Sequence, residues 1–334
     1  MGQRCSVVRV LGAGPAGCAA AIQALSDGTA VEIFEKSLFP RHKVCGEFMS
    51  PETMRLLEEM GIAAAVGALR APPIRRMLLS FKGREKHGKL PEAAFGLSRY
   101  ALDDILLRRV AAMGAVVRRE KGAISAGAII ATGRQSVAPK GRRLFGFKAH
   151  FTGPANDAVE LYFIGRRGYV GVNAVEGGAT NVCGLAEEAA MREVGFNVDD
   201  FLYRDPSLRR RLSGLSRRFP WLTSGPLIFN QRFGETPQAY PAGDCLSFID
   251  PFTGSGILSA LLTGKLAGRA ASAGSRSLDY ISQCQRTLRV PFQVASLFRT
   301  AVDAGWAEWA APWIPARVLF RLTRPRMLSG WKSR

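Results

Sequence analysis

Cysteine is sparse and scattered. The six thiols, Cys5, Cys18, Cys45, Cys183, Cys245 and Cys284, stand singly in 334 residues, with no CxxC pair and no metal-ligand spacing. That pattern excludes a disulfide framework and a zinc module and fits free thiols in a reducing compartment. No apolar run reaches the roughly twenty residues of a membrane span. No zinc-finger, recognition-helix or RNP pattern accompanies the basic residues, so nucleic acid is not an expected partner. Acid is also short: 27 Asp and Glu face 46 Lys and Arg, a net charge of +19. Such an excess attracts polyanions, which leaves an anionic membrane surface or an acidic carrier protein as expected partners. The opening MGQRCSVVRVLGAG runs straight into an expected strand without a leader pattern. A cytoplasmic protein, either free or peripheral on a membrane, is the expectation.

What the sequence does hold is glycine in a telling order. SVVRVLGAGPAGCAAAIQALSDGTAVEIFEK reads as strand, glycine-rich turn, helix over 15–26, turn, and a second strand closing on acid. This is the pattern of a dinucleotide-binding βαβ unit. Gly12 permits the tight turn, Gly14 lets the backbone approach a pyrophosphate, and Gly17 lets the helix pack close to the sheet. Glu35 is positioned to accept the hydroxyls of an adenosine ribose. Arg9, in the middle of the first strand, must snorkel or find an acid.

Further on, LSRYALDDILLRRVAAMGAVVRR spaces Leu102, Leu106, Val110 and Met113 as one helical face, followed by Gly114 and a short strand. Arg99 stands at the helix entrance. AGAIIATGRQS, 126–136, reads as a short apolar strand, and the alternating, turn-broken stretches from 144 to 185 read as an antiparallel sheet. PAGDCLSFIDPFTGSGILSALLTGKLAGRAA adds a glycine–acid turn and a helix that starts after Gly254, Ser255 and Gly256, a start suited to an anion or a carbonyl oxygen. The tail PFQVASLFRTAVDAGWAEWAAPWIPARVLFRLTRPR is apolar with interspersed arginine and tryptophan, as in a helical cover or a membrane-surface face.

The ordered set of Gly12, Gly14, Gly17, Glu35, Arg99, Thr132, Gly133 and GDCLSFIDPFTGSGI resembles that of single-FAD-domain flavoproteins of the para-hydroxybenzoate hydroxylase type. That class includes hydroxylases, flavin-dependent halogenases and the geranylgeranyl reductase family. Within it, PRHKVCGEF resembles the PxxKxCGG loop of the reductases, and GYVGVNAVEGGATNVCGLA resembles their flavin-facing sheet segment. Three positions depart from the pattern: Glu47 replaces a second glycine, as in the GES-type loop of halogenases and hydroxylases; Gly171 replaces a tryptophan; and Thr132 replaces an aspartate. The WxWxIP motif of halogenases is absent.

The resemblance implies an α/β fold, with a Rossmann-like parallel sheet binding FAD in residues 1–143 and 236–275. An antiparallel-sheet substrate domain would span 144–235 and a helical C-terminal cover 276–334. It further implies that the cofactor contacts Gly12, Ala13, Gly14, Pro15, Ala16 and Gly17, then Glu35 and Lys36, Cys45 and Gly46, and Arg99. Thr132, Gly133, Gly243 and Asp244 would continue the site, and the loop of Pro251, Gly254, Ser255, Gly256 and Ile257 would lie along the isoalloxazine. Cys45, Lys43 and Tyr169 are the implied catalytic residues. Lys43 could instead belong to a solvated run with Arg41 and His42, and Tyr169 could simply pack in the sheet. His87 and His150 have no partner at a telling spacing and read as structural.

The expected function is that of an FAD-dependent oxidoreductase acting on a hydrophobic small molecule, isoprenoid, lipid-like or polyketide. In one route a polarised alkene is reduced and Cys45 supplies a proton; in the other the enzyme is a monooxygenase that hydroxylates an aromatic or polyketide substrate. With no second GxGxxG unit, the electrons come from a transiently bound NAD(P)H or an external electron donor. A protein of another kind, carrying a hydrophobic ligand with or without flavin, is the alternative.

Overall fold

In the computed structural model, residues 7–81, 84–134, 143–154, 156–227, 238–247 and 254–304 are described. The chain begins β1 (Val8–Leu11), α1 (Pro15–Ser26), β2 (Val31–Phe34), β3 (Phe48–Met49), α2 (Pro51–Glu59) and α3 (Ala63–Gly67). It continues through β4 (Pro73–Phe81), β5 (Arg84–Gly96), α4 (Arg99–Ala112), β6 (Val116–Arg118) and β7 (Ile129–Ile130). Next come β8 (Leu144–Thr152), β9 (Ala158–Phe163), β10 (Gly168–Val175) and β11 (Ala179–Glu187), and the short helices α5 (Glu188–Arg192), α6 (Val198–Leu202) and α7 (Pro206–Leu212). The described chain closes with β12 (Ser216–Arg217), β13 (Leu222–Leu227), β14 (Tyr240–Pro241), α8 (Gly256–Ser272) and α9 (Ser277–Asp303).

Five strands form a parallel sheet in the order β14-β7-β1-β2-β6. VRVL and VEIF are nearly all apolar because this sheet is covered on both faces, so its strands do not alternate. The α1 helix has Pro15 in its first turn and is buried from Pro15 to Ala24. It is wedged against α8, where a Cβ on Gly264 would lie 2.1 Å from the Ala16 carbonyl oxygen, and one on Gly268 2.3 Å from that of Ala20. Arg9 resolves in a way the sequence did not foresee. It donates to the Ser125 hydroxyl at 3.1 Å and lies 4.8 Å over the Phe34 ring, and among the described residues it is paired with no acid.

The second sheet has nine strands in the order β12-β8-β11-β10-β9-β4-β5-β3, with β13 also pairing with β8. It is antiparallel apart from the β4–β9 seam, which is parallel. The long hairpin of β4 and β5 thus joins the 144–227 strands, although it belongs to the first 143 residues. Its strand character is masked in sequence by charge, as PIRRMLLSF sets exposed Arg75 and Arg76 beside buried Ile74 and Met77. The short apolar strand expected to end at Thr132 and Gly133 is a two-residue ladder at Ile129–Ile130. Helices α5 to α7 cover the outer face of the second sheet through Phe147, Phe201, Leu208 and Leu212. In α9, Tyr280, Ile281 and Cys284 pack onto the core beneath α1 and α8. Residues 305–334, the rest of the expected cover, lie outside the described residues. Among the described helices none is long and apolar enough to cross a membrane.

The α1–α8 contact leaves no room for added atoms. Gly264→Ala is therefore expected to lower the unfolding free energy by about 1–3 kcal/mol. Gly67→Ala, at the exposed end of α3 with nothing near its Cβ position, should be neutral or stabilise by up to about 1 kcal/mol. Urea unfolding of the two variants checks the contrast.

Candidate cofactor and active site

A cavity of about 700 Å³ runs from the glycine turn after β1 to the inner face of the second sheet. At its nucleotide end the turn is built by two contacts that only glycine permits. Gly12 has φ +100° and lies against the Ala131 carbonyl, and a Cβ on Gly17 would fall 1.8 Å from the Gly12 oxygen. Gly14 differs, because it opens to the cavity. A Cβ there would stand 3.7 Å from Arg99 Nη2 and 3.9 Å from Lys43 Nζ, so backbone and two cations face one space. Behind it, the Ala13 amide donates to Glu35 Oε2 at 3.1 Å and the Ser37 amide to Oε1 at 2.8 Å. Burial alone would raise the Glu35 carboxyl, but these two amides, the Ser37 hydroxyl and Lys43 outweigh it and hold it below the usual range.

Helix α4 supplies the principal cation. Arg99 grips Asp103 with two parallel bonds of 2.6 and 2.7 Å, one turn along the same helix. Burial opposes its charge, yet Asp103 raises its pKa well above normal, so the guanidinium stays ionised. Lys43 lies 3.9 Å from Asp103 and is pushed down to about 8, first by burial and then by Arg99. Asp244 completes the group: burial pushes its carboxyl up, opposed by Arg99, Arg134 and Lys43. Thr132 and Gly133 close β7 beside it. The Cys245 thiol donates to the Gly133 carbonyl at 2.7 Å and lies 3.4 Å from the Thr132 hydroxyl. A neutral hydroxyl–thiol contact thus occupies the place of the aspartate seen in the resembling family.

Of the residues expected at the cofactor, Gly12, Gly14, Pro15, Ala16, Glu35 and Lys36 line the cavity. So do Cys45, Gly46, Arg99, Thr132, Gly133, Gly243 and Asp244, and at the start of α8 Gly254, Gly256 and Ile257. Ala13, Gly17 and Ser255 do not; all three are buried behind the lining. Pro251 lies outside the described residues. The expected catalytic residues Lys43, Cys45 and Tyr169 share the cavity. These features fit FAD: an open glycine facing cations suits a dianionic pyrophosphate, and a buried carboxylate at the second strand end suits a ribose.

The far end is apolar, walled by Met77, Leu79, Leu90, Leu161 and Phe163 from β4, β5 and β9. Cys45 reaches it from the loop before β3, and burial pushes its thiol up, so the proton is retained at neutral pH. The Asn181 side chain donates to the Cys45 and Gly46 carbonyls at 3.2 and 3.0 Å. Cys183, two residues along β11, also lines the cavity, as does Arg134; neither was anticipated from sequence.

His150, read from the sequence as structural and without a partner at a telling spacing, has a buried partner. Its Nε2 pairs with Glu47 Oε2 at 2.7 Å, and the Lys148 ammonium pairs with Oε1, all three groups being buried. Burial alone would raise the Glu47 carboxyl, but the His150 hydrogen bond and Lys148 hold it below the usual range. The signal was present in FGFKAHF, where two basic residues two apart in an apolar strand share one inward face. The His42 ring meets His150 edge-on at 5.0 Å and is pushed down to about 4 by burial and Lys148. His42, Glu47 and His150 bring one ligand atom each within 4.8 Å, yet Lys148 already balances the carboxylate and a further cation would be repelled. His87 stays at the surface, 3.3 Å from Glu85.

Residues 4–126 match the family model of an FAD binding domain. Menaquinone reductase of Mycolicibacterium smegmatis is 42% identical over 64 residues, 19% of this chain and 15% of that protein. Menaquinone reductase of Mycobacterium tuberculosis is 35% identical over 111 residues, 31% of this chain and 26% of that protein. The match therefore spans about a quarter or less of these curated relatives. The structure of the flavin-dependent brominase Bmp2 superposes with a TM-score of 0.78 at 18% identity, over 98% of this chain and 95% of that one. The fold is thus that of FAD-dependent oxidoreductases and monooxygenases, and FAD is the cofactor of the amino-terminal domain.

Lys43 gives this site a pH signature. A pyrophosphate beside it favours the charged form, so above pH 8 binding must take up a proton. FAD affinity, measured by fluorescence quenching from pH 7 to 10, is expected to hold steady to about 8 and then fall by up to about tenfold per unit. Lys43→Met should flatten the profile.

Proposed function

We propose that the protein is an FAD-dependent oxidoreductase that reduces a double bond of a hydrophobic, isoprenoid or lipid-like substrate, as in the geranylgeranyl reductase family. The observation that carries this reading is the continuity of one cavity from the phosphate-binding turn to an apolar wall, with a protonated thiol between them. The curated relatives, named menaquinone reductases, agree in kind. When bound, FAD supplies hydride transfer or the activation of oxygen. The chain's share is to hold the cofactor's phosphates at Gly14, Arg99 and Lys43, and to seat the substrate against Met77, Leu79 and Phe163. The retained proton of Cys45 is offered to the substrate, and Tyr169 orients it from the sheet face. Electrons arrive from transient NAD(P)H or an external donor.

The three-part division belongs to the same proposal: cofactor half 1–143 with 236–275, substrate sheet 144–235 joined by β3 to β5, and cover 276–334. The charge of +19 favours an anionic membrane surface or an acidic carrier protein as the platform that presents the substrate. A second reading, monooxygenation of an aromatic or polyketide substrate, is favoured by one feature. Glu47 stands where the reductases carry glycine, as in the loop of hydroxylases and halogenases.

Two measurements separate the readings. Reduced protein given polyprenyl, quinone and aromatic substrates without oxygen, then with it, should yield product heavier by two hydrogens in both cases; gain of one oxygen atom only in air means monooxygenation. Cys45→Ser should keep FAD and its melting temperature but lose turnover by a factor of about 10² to 10⁴. Wild-type turnover in that variant would remove Cys45 from the chemistry.

A further inference from the structure

Glu47 combines three unusual properties. Its backbone is left-handed, φ +53°, a conformation that glycine adopts readily and glutamate does not. Its side chain is fully buried. It also sits two residues from the cavity thiol, with its amide directed at the Cys45 sulfur at 3.4 Å. A strained residue at the lip of a functional cavity is held there by its surroundings, and here the surroundings are two separate elements, α4 and β8.

Oε1 accepts from the Arg99 amide at 2.6 Å, at the first turn of α4, and from the Lys148 ammonium of β8; Oε2 pairs with His150 of the same strand. The Glu47 carbonyl accepts from the Leu97 amide at 3.0 Å, so both the main chain and the side chain are pinned. Apolar side chains of similar volume would fill this space at least as stably as a buried ion pair. Filling space therefore does not account for the cluster, whereas fixing a geometry does.

We propose that Glu47 is a positioning residue: through one carboxylate it ties the loop 43–47 to α4 and β8, and so fixes the Cys45 sulfur at the cavity wall. The proposal rests on the reading of Cys45 as the cavity acid for its catalytic consequence, but not for its geometric one. Release of the carboxylate frees the loop to relax from the left-handed turn, and the amide turns away from the sulfur. FAD binding is left to the glycine turn, Glu35, Lys43 and the Arg99 guanidinium, which Asp103 holds independently of Glu47.

Two variants of the FAD-loaded protein test it. Glu47→Gln keeps the shape and an acceptor for Arg99 but loses the charge opposite Lys148. Glu47→Gly with Lys148→Met removes both charges and the strain, so it should fold with a melting temperature near that of wild type. In both, alkylation of Cys45 by iodoacetamide, followed by peptide mass spectrometry, should speed up by about tenfold, the scale of one lost hydrogen bond. The flavin spectrum should not change, and kcat should fall while KM holds. If either variant folds and alkylates Cys45 at the wild-type rate, the proposal is overturned. Failure of both to fold overturns it as well, because the cluster would then serve stability alone. Faster alkylation with wild-type kcat keeps the positioning role and rejects only the role of Cys45 as acid.

Discussion

Arg99 links the nucleotide end of the cavity to the loop that carries Cys45 and Glu47. Its guanidinium is locked to Asp103 and faces Gly14, while its amide reaches Glu47 in the loop that borders the substrate wall. A bidentate pair on one helix turn holds a cation rigid, so the charge is already aimed when an anion arrives. The cost of burying it is met by Asp103, leaving the guanidinium's outer edge toward the cavity. Shift α4 by an ångström and the phosphate seat and the Cys45 loop would both move.

The same economy holds at the glycine turn. Gly12 and Gly17 are used up in backbone contacts with each other and with Ala131 after β7, which leaves Gly14 as the glycine whose Cβ position opens onto the cavity cations. Glu35 does not wait as a free carboxylate either; both oxygens already accept amides, and the lone pairs left over are what a ribose can use. The site is thus organised before any ligand enters, by bonds internal to the chain.

Much of this was legible in the sequence because glycine spacing and helical periodicity are local signals. The turn, α1, α4 and the start of α8 depend on residues within a few positions of each other, and they fall where the pattern puts them. What was not legible is contact across the sheet. Lys148 and His150 meet Glu47 over a hundred residues away, and His150 read as structural because no spacing in the chain announces that pairing. The hairpin of β4 and β5 was missed for a different reason: its exposed face is so basic that alternation was lost among arginine and lysine. Cys183 and Arg134 were passed over because a lone thiol within a strand and a lone cation beyond one carry no pattern. The departures from the family motif were visible at once, but their meaning was not. Glu47 in place of glycine makes sense only with its buried partners in view, since a left-handed glutamate costs about 1–2 kcal/mol that its bonds must offset.

The central claim is that the cleft is a preorganised seat for the phosphates of FAD. Comparing FAD with riboflavin tests it most directly, because the two share the ring and differ in the pyrophosphate and adenosine. Two charge-assisted bonds from Arg99 and Lys43, at about 1.5–3 kcal/mol each, predict that apoprotein binds FAD about 10² to 10⁴ times more tightly in an equilibrium titration at pH 7. Equal affinity for the two would contradict the account.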